Sequence, residues 1–429
     1  MRMVISTMAL LLASGAAAQD GCAPWEVVPS PNPDGSTHTV VRGITAIADD
    51  HVWAVGSYVD GQIKQLSMRW DGESWTFFDV PVRDLLGDGL LWDVDASDPN
   101  NIWAGGDQEF APSGGFFGTH NLVVRWDGDE WELMDTPVLG LGSGDTVDAV
   151  LALAPDDVWF GGNGHPVGSG ATPPLVMHWD GSGFDLVEMT IVNPESGRDA
   201  GNPIQDFSAL SPDDIWAVGT TDVTADGADD YSQVHHWDGS EWTHVPGPTP
   251  GFYNDLRAVA AIAPDDVWAG GDWWDFDGQI YPFLIHWDGS QWTQVDVPFG
   301  IGDLYAFASD DVYAVSNVVA HWDGASWEIV ETFPGVDSPS LVALDATGPC
   351  ALWAGGRHIP GDDLESLIVR QGPGGCAADF NGDGDTNTLD VLAFLNAWNA
   401  NDPNADVNGD GEINTLDVLA FLNLWNAGC

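Results

Sequence analysis

Val52-Trp53-Ala54-Val55-Gly56, followed by Trp70-Asp71-Gly72-Glu73-Ser74-Trp75, decides the fold. Valine and tryptophan favour strands. An Asp-Gly pair between two β-rich runs marks a tight hairpin, because glycine accepts the positive φ that such a turn demands. Ahead of these stretches a small apolar run, Ile44 to Ala48, ends in the acidic pair Asp49-Asp50. One pass through the pattern therefore reads as four short strands: apolar, Trp-centred, variable, and a last one beginning at Trp75.

The Trp-centred strand returns at Ile102-Trp103, Val158-Trp159, Ile215-Trp216, Val267-Trp268, Val312-Tyr313 and Leu352-Trp353, which makes seven copies. The Trp-Asp-Gly turn returns at Trp126, Trp179, Trp237, Trp287 and Trp322, while the seventh place reads Arg370-Gln371-Gly372. Only six last strands follow, marked by Trp75, Trp131, Phe184, Trp242, Trp292 and Trp327. The missing copy lies at the other end of the chain. Trp25-Glu26-Val27-Val28-Pro29 matches Trp75-Thr76-Phe77-Phe78 and its following Val80-Pro81. A four-stranded unit repeated seven times cannot leave its edges open, and a ring protects them. The expected fold class is mainly β: a seven-bladed β-propeller over residues 19–371 whose last blade is completed by the N-terminal strand.

With strands lettered A to D outward from the axis, the A–B and C–D turns fall on one face of the disc. The irregular B–C and D–A connections share the other, where a repeat scaffold usually carries function. Phe116, Phe117, Trp273, Trp274, Phe276 and Tyr281 lie in such connections and form candidate stacking platforms for a glycan or a protein. Asp272, Asp275 and Asp277 lie among them and suit sugar hydroxyls or a further calcium ion. The residue before each C–D turn is basic or His: Arg69, Arg125, His178, His236, His286, His321 and Arg370. Strand C ends beside the start of strand B, where Asp50, Asp157, Asp214, Asp266 and Asp311 sit, so a repeated structural pairing is expected. Four cysteines allow three pairings. Cys350 stands in the last A–B turn and Cys22 in the same blade's C–D turn, which favours Cys22–Cys350; Cys376–Cys429 would then clasp the tail.

After Gly372-Pro373-Gly374-Gly375 the composition changes, and residues 372–378 read as a linker. Asp379, Asn381, Asp383, Asp385 and Asp390 place oxygen donors along a twelve-residue loop with glycine at its sixth position. Twenty-seven residues later Asp406, Asn408, Asp410, Glu412 and Asp417 repeat the pattern. A hard cation needs six or more oxygens on a sharply turning loop, so two calcium ions are expected. Each loop runs into the same ten residues, Asn-Thr-Leu-Asp-Val-Leu-Ala-Phe-Leu-Asn, at 387–396 and 414–423. These runs are apolar on nearly every side, which suggests that a partner covers one face.

On these residues, 379–429 resembles a dockerin, the duplicated loop-helix calcium module of secreted proteins. The Ala-Gly-Cys ending resembles the dockerin variety that finishes in Gly-Cys in planctomycete-type secreted proteins. The resemblance implies a small all-α domain whose Thr388, Leu389, Thr415 and Leu416 select a cohesin-like or surface-anchoring partner. The paired glycines Gly105-Gly106, Gly161-Gly162, Gly270-Gly271 and Gly355-Gly356 resemble those of kelch repeats in galactose-oxidase-like propellers.

Composition narrows the function. Arg2, the apolar run Met3 to Ala13 and Ala16-Ala17-Ala18 read as a secretory signal over residues 1–18, so a secreted, extracellular protein is expected. A formal charge of -57, from 67 acids against 10 basic residues, repels phosphate backbones and anionic membranes and excludes nucleic acid as a partner. The acidity suits a solvated surface in saline water. No later run is long enough to span a bilayer, so no membrane insertion is expected, and the propeller reads as a monomer. No nucleophile elbow, zinc motif or phosphate loop occurs. A binding module for a glycan or protein is the favoured reading; the alternative is a polysaccharide-active hydrolase or lyase, which needs a carboxylate pair that the sequence does not single out.

Overall fold

The computed structural model describes residues 22–83, 88–110, 118–137, 144–164, 174–189, 203–220, 233–251, 253–361, 363–372, 378, 380–381, 387–405, 407 and 413–427. The expected signal segment, Phe116, Phe117, Cys376 and Cys429 lie outside them. Two compact units emerge: one of Trp25–Glu328 with Thr332–Gly372, the other containing Pro373–Cys429.

The first unit is a ring of seven four-stranded antiparallel sheets. Blades 1 to 6 occupy residues 38–77, 89–133, 149–186, 204–244, 253–294 and 303–331, each in sequence order from the inside out. Blade 7 takes Ser340–Gly348, Ala351–His358 and Glu365–Gln371, and its fourth strand is Glu26–Val28. Glu26 pairs with Arg370 and Val28 with Ile368, so the N-terminal strand closes the ring as the orphan Trp25 repeat implied. The seam is reinforced by the Arg370 Nε donating to Glu26 at 2.6 Å and by the Ser30 and Ser366 hydroxyls 2.7 Å apart. Cys22 and Cys350 are both disulfide-bonded.

The repeated tryptophans hold neighbouring blades together. Trp53 of blade 1 packs against Trp126 and Trp131 of blade 2, at 4.8 and 5.2 Å between ring centroids. Trp103, Trp159, Trp216 and Trp268 make the same three-ring contact with the next blade, and Trp353 closes the circle against Trp70 and Trp75. The same aromatic triad is thus present at the interfaces of blades 1–2, 2–3, 3–4, 4–5, 5–6 and 7–1. Such ring pairs add about 0.5–1.5 kcal/mol each beyond the area they bury.

The expected Asp to His pairing is present in blades 3 to 6: His178–Asp157, His236–Asp214, His286–Asp266 and His321–Asp311 lie 2.7–2.8 Å apart. Each imidazole also stacks at 4.4–4.6 Å on the aromatic of strand B. The other blades differ. In blade 1 the position belongs to His51 rather than Asp50, and His51 accepts from Trp53 Nε1. Blade 2 uses Asn101, which accepts from Arg125 Nε, and in blade 7 Arg370 turns to Glu26 on the closing strand. What the position beside strand B shares in blades 1 to 3 is acceptance from the strand-B tryptophan, by His51, Asn101 or Asp157, while Arg69 lies over the Trp53 and Phe78 rings.

Candidate functional site

The channel of the propeller is shaped by a glycine and the bulge it permits. Gly56, Gly106, Gly162, Gly219, Gly271 and Gly356 each sit where a Cβ would fall 1.9–2.2 Å from a carbonyl oxygen of strand A. Only glycine lets that strand come so close. Opposite these glycines strand A takes on one extra residue, a β-bulge, between Val41 and Gly43, Leu91 and Asp93, Ile204 and Asp206, Leu256 and Ala258, and Leu341 and Ala343. The extra residues are Arg42, Trp92, Gln205, Arg257 and Val342, with Asp148 at the equivalent place in blade 3. All six line a central cavity of about 640 Å3, near the end of the channel where the D–A connections enter. Bulges re-aim side chains in this way.

Deeper in the channel lie buried carboxylates that the sequence pattern does not single out. Asp93 accepts from the Val94 N–H of its own blade and from the Val150 N–H of the next, at 2.8 and 2.7 Å. Asp95 bridges Ala96 and Ala152, Asp206 bridges Phe207 and Val259, Asp303 bridges Leu304 and Leu344, and Asp345 bridges Ala346 and Ala46. Each carboxylate lashes adjacent inner strands together. Burial pushes their pKa values up, to about 7 for Asp93, about 8 for Asp95 and about 6 for Asp345, against the opposing pull of the N–H donors. Asp206 and Asp303 are raised as well, first by burial.

Of the expected aromatic platforms, Trp273, Trp274, Phe276 and Tyr281 are described, and they lie on a projecting hairpin rather than in an irregular loop. Strand B of blade 5 runs to Trp274 and strand C starts at Ile280, so Trp273 pairs with Tyr281 across the ladder. Their rings stack at 4.4 Å with 19° between planes. Phe276, at the tip, is 87% exposed. The nearby acids have local work. Asp275 accepts from the Asp277 and Gln279 N–H groups and from the Tyr281 hydroxyl, while Asp272 pairs with Arg257 and accepts from Trp274 Nε1. Among the described residues no group of three or more His, Cys, Asp or Glu is arranged to hold a metal ion.

In the second unit, helices α1 (Thr388–Ala400) and α2 (Thr415–Ala427) repeat one another. Asn387 and Asn414 cap them, each side chain accepting from the N–H two residues on at 2.8 Å. Phe394 and Phe421, both fully buried, stack at 4.2 Å with 11° between planes, and Phe380 meets both edge-on. Trp398 Nε1 donates to the Asn414 carbonyl and Trp425 Nε1 to that of Asn387, a reciprocal exchange. Asp390 is fully buried and accepts from the Asn381 and Asn387 N–H groups. Asp417, equally buried, accepts from Asn414 N–H. Residues 373–429 hold nine acids and no Lys, Arg or His, so no side chain here can neutralise those carboxylates; a cation fits. The other expected ligands, Asp379, Asp383, Asp385, Asp406, Asn408, Asp410 and Glu412, lie outside the described residues. Thr388, Leu389, Thr415 and Leu416 are exposed, as a partner-selecting role requires.

Residues 377–423 match the dockerin type I domain. This tail is a dockerin. Dockerin domains generally bind calcium and cohesins and are typical of extracellular proteins, so the chain is a seven-bladed propeller carrying a module of that kind. No curated protein matches the chain. Among solved structures, YCF48 bound to a D1 peptide is 14% identical with a TM-score of 0.52, covering 84% of this chain and 99% of its own. A Niastella koreensis GH74 enzyme reaches 10% and 0.46, covering 77% of this chain and 51% of its own. The β-propeller domain of the Trilobed protease from Pyrococcus furiosus reaches 10% and 0.44, covering 77% and 96%. The first likeness shows the fold and nothing more.

The dockerin leaves a paired apolar surface. Leu389 and Leu416 are 56% and 57% exposed, and Leu392 and Leu419 match them at 56% and 57%. Phenylalanines fill the interior of the unit, so these leucines are left over from its core. The apolar runs at 387–396 and 414–423 announced them, whereas Arg42 and Trp92 had one sequence signal only: the glycine three residues after the strand-B tryptophan in six blades, which marks where strand A must bulge.

Proposed function

We propose that the chain is a secreted recognition module, exported by residues 1–18 and maturing at Gln19, whose propeller binds an extracellular ligand while its dockerin fixes it to an assembly. Two calcium ions, held by Asp379, Asn381, Asp383, Asp385 and Asp390 and by Asp406, Asn408, Asp410, Glu412 and Asp417, organise the tail. Calcium supplies the positive charge against which the loops fold. Leu389, Leu392, Leu416 and Leu419, with Thr388 and Thr415, then form the surface for a cohesin-like or surface-anchoring partner. Cys22–Cys350 closes the propeller seam, and Cys376–Cys429 clasps the tail.

Binding is favoured over hydrolysis by one observation: Asp93, Asp95, Asp206, Asp303 and Asp345 in the channel are each engaged by two backbone N–H groups. A glycosidase needs one carboxyl free to give a proton and another free to attack or to activate water. The stacked Trp273 and Tyr281, with exposed Trp274 and Phe276 beside them, add an aromatic platform suited to sugar rings or apolar protein side chains. A glycan array run beside a reducing-end release assay tests this reading. Saturable binding without product is expected, and turnover would replace the recognition module by a polysaccharide-active enzyme.

A further inference from the structure

In a chain with 67 acids and 10 basic residues, carboxylates are plentiful, and three of the seven described arginines pair with them, while Arg69 and Arg125 lie over the Trp53 and Trp103 rings. Arg257 pairs with Asp255 and Asp272, Arg83 with Asp135 and Arg370 with Glu26. Arg42 and Arg357 form no ion pair among the described residues. They belong to blades 1 and 7, side by side across the ring seam, where strand B of blade 7 packs on strand A of blade 1. Their charges are near enough that Arg357 lowers the Arg42 pKa, after the larger effect of burial. Arg42 Nε is buried without a hydrogen-bond partner.

The guanidinium of Arg42 lies 4.2 Å over the ring of Trp92, the bulge residue of blade 2. Trp92 is itself fixed by donating to Asp107 at 2.8 Å. Asp107 lies close enough to favour the charge on Arg42 but makes no ion pair with it. Arg42, half-buried and backed by an indole, thus lines one sector of the cavity, with Arg357 of the neighbouring blade near enough to repel its charge. Asp148 and Gln205, from blades 3 and 4, supply polar groups to the same cavity, whose volume of about 640 Å3 falls within the range of small-molecule sites, about 300–1,000 Å3.

We propose that the mouth of the propeller channel is a binding site for an acidic sugar, whose carboxylate sits between Arg42 and Arg357 and whose ring lies against Trp92 with its hydroxyls toward Asp148 and Gln205. Arginine recognises carboxylates through charge-assisted, often bidentate bonds. A sugar fits because the cavity that holds Arg42 and Trp92 also offers the hydrogen-bonding side chains of Asp148, Gln205 and Ser208. This site deepens the recognition reading and rests on it.

The test is calorimetric titration of the full chain with digalacturonate, its methyl ester, cellobiose and a tetra-alanine peptide with a free C-terminus. Digalacturonate should bind at least about tenfold more tightly than the ester, since the ester lacks the charge that arginine reads. Arg42→Gln and Arg357→Gln should each weaken it by about tenfold. Lys64→Ala, remote and paired with Asp60, should leave it unchanged. Arg357 is exposed, so its substitution reads the site even if Arg42→Gln disturbs folding. Equal binding of acid and ester, wild-type affinity in both arginine variants, or preference for the peptide would overturn the proposal. Arginine-independent binding of cellobiose would overturn it while leaving the recognition module standing; no saturable binding by any sugar on this test or the array removes this site and the glycan reading together, leaving only a protein ligand.

Discussion

The propeller and the dockerin are both built by repetition, yet repetition buries apolar side chains in one and exposes them in the other. Around the ring, each strand-B aromatic meets the outer tryptophans of the next blade, so Trp53 and Trp103 are wholly inaccessible. Seven copies on a circle leave no terminal copy uncovered. The tail has two copies. Phe394 and Phe421 satisfy each other, and the matched leucines on the outer faces are left to water or to a partner. Closed repetition makes a self-sufficient scaffold, whereas a pair makes a small core that leaves apolar side chains exposed.

The sharpest way to break this comparison is to remove half of the smaller core. Phe394→Ala should cost the tail about 3–5 kcal/mol and abolish its helical signal, while the main calorimetric transition of the propeller stays in place. A shift of both transitions together would mean that the units are not independent. Next in size is the ring seam. Val28, buried against Trp353 and Ile368, belongs to the closing strand. Val28→Asp places an unpaired carboxylate there and should destabilise the propeller by about 3 kcal/mol or more in urea unfolding. Unchanged unfolding would show that closure contributes little.

Smaller effects are expected from the inner ring. Asp95→Ala strands the N–H groups of Ala96 and Ala152 and should cost about 1–3 kcal/mol. The native group also carries a pH signature. Its pKa is raised in the folded chain to about 8, so the folded state holds its proton more tightly than the unfolded one. Stability is then greatest in acid and declines as pH climbs from about 4 to about 8, by about 1.4 kcal/mol per pH unit for each such group while it titrates. Unfolding curves at pH 5.5 and 8 should differ in that direction, with a smaller difference in Asp95→Ala; a rise in stability toward pH 8 would contradict the buried-carboxylate account. Smallest of all, His286→Ala removes the Asp266 pair and the stack on Trp268 and should lower stability by about 1 kcal/mol without altering ligand affinity.

How much of the molecule is legible in its sequence follows from how each feature is encoded. The blade count and its closure are readable because Trp53 and its counterparts recur at fixed places and Trp25 completes the tally. The tail is readable because oxygen donors at fixed positions around a loop glycine suit a hard cation and little else. The channel is not, because strand A carries no repeated letter where it bulges: Arg42, Trp92, Asp148, Gln205, Arg257 and Val342 share a position but no chemistry. Likewise Asp93 and Asp95 look like two more acids among 67 until the backbone register places them between blades. The hairpin of Trp273 and Tyr281 reads as irregular loop because exposed aromatics flank the Asp275–Gln279 turn, and a ladder that extends beyond its sheet has no neighbour to impose alternation.

Calorimetric titration of the calcium-free full chain with calcium, followed by helical circular dichroism on the same samples, tests the account most directly. Two ions per chain should bind with a gain in helix, and the propeller transition should not move. Helicity and stability indifferent to calcium would contradict it.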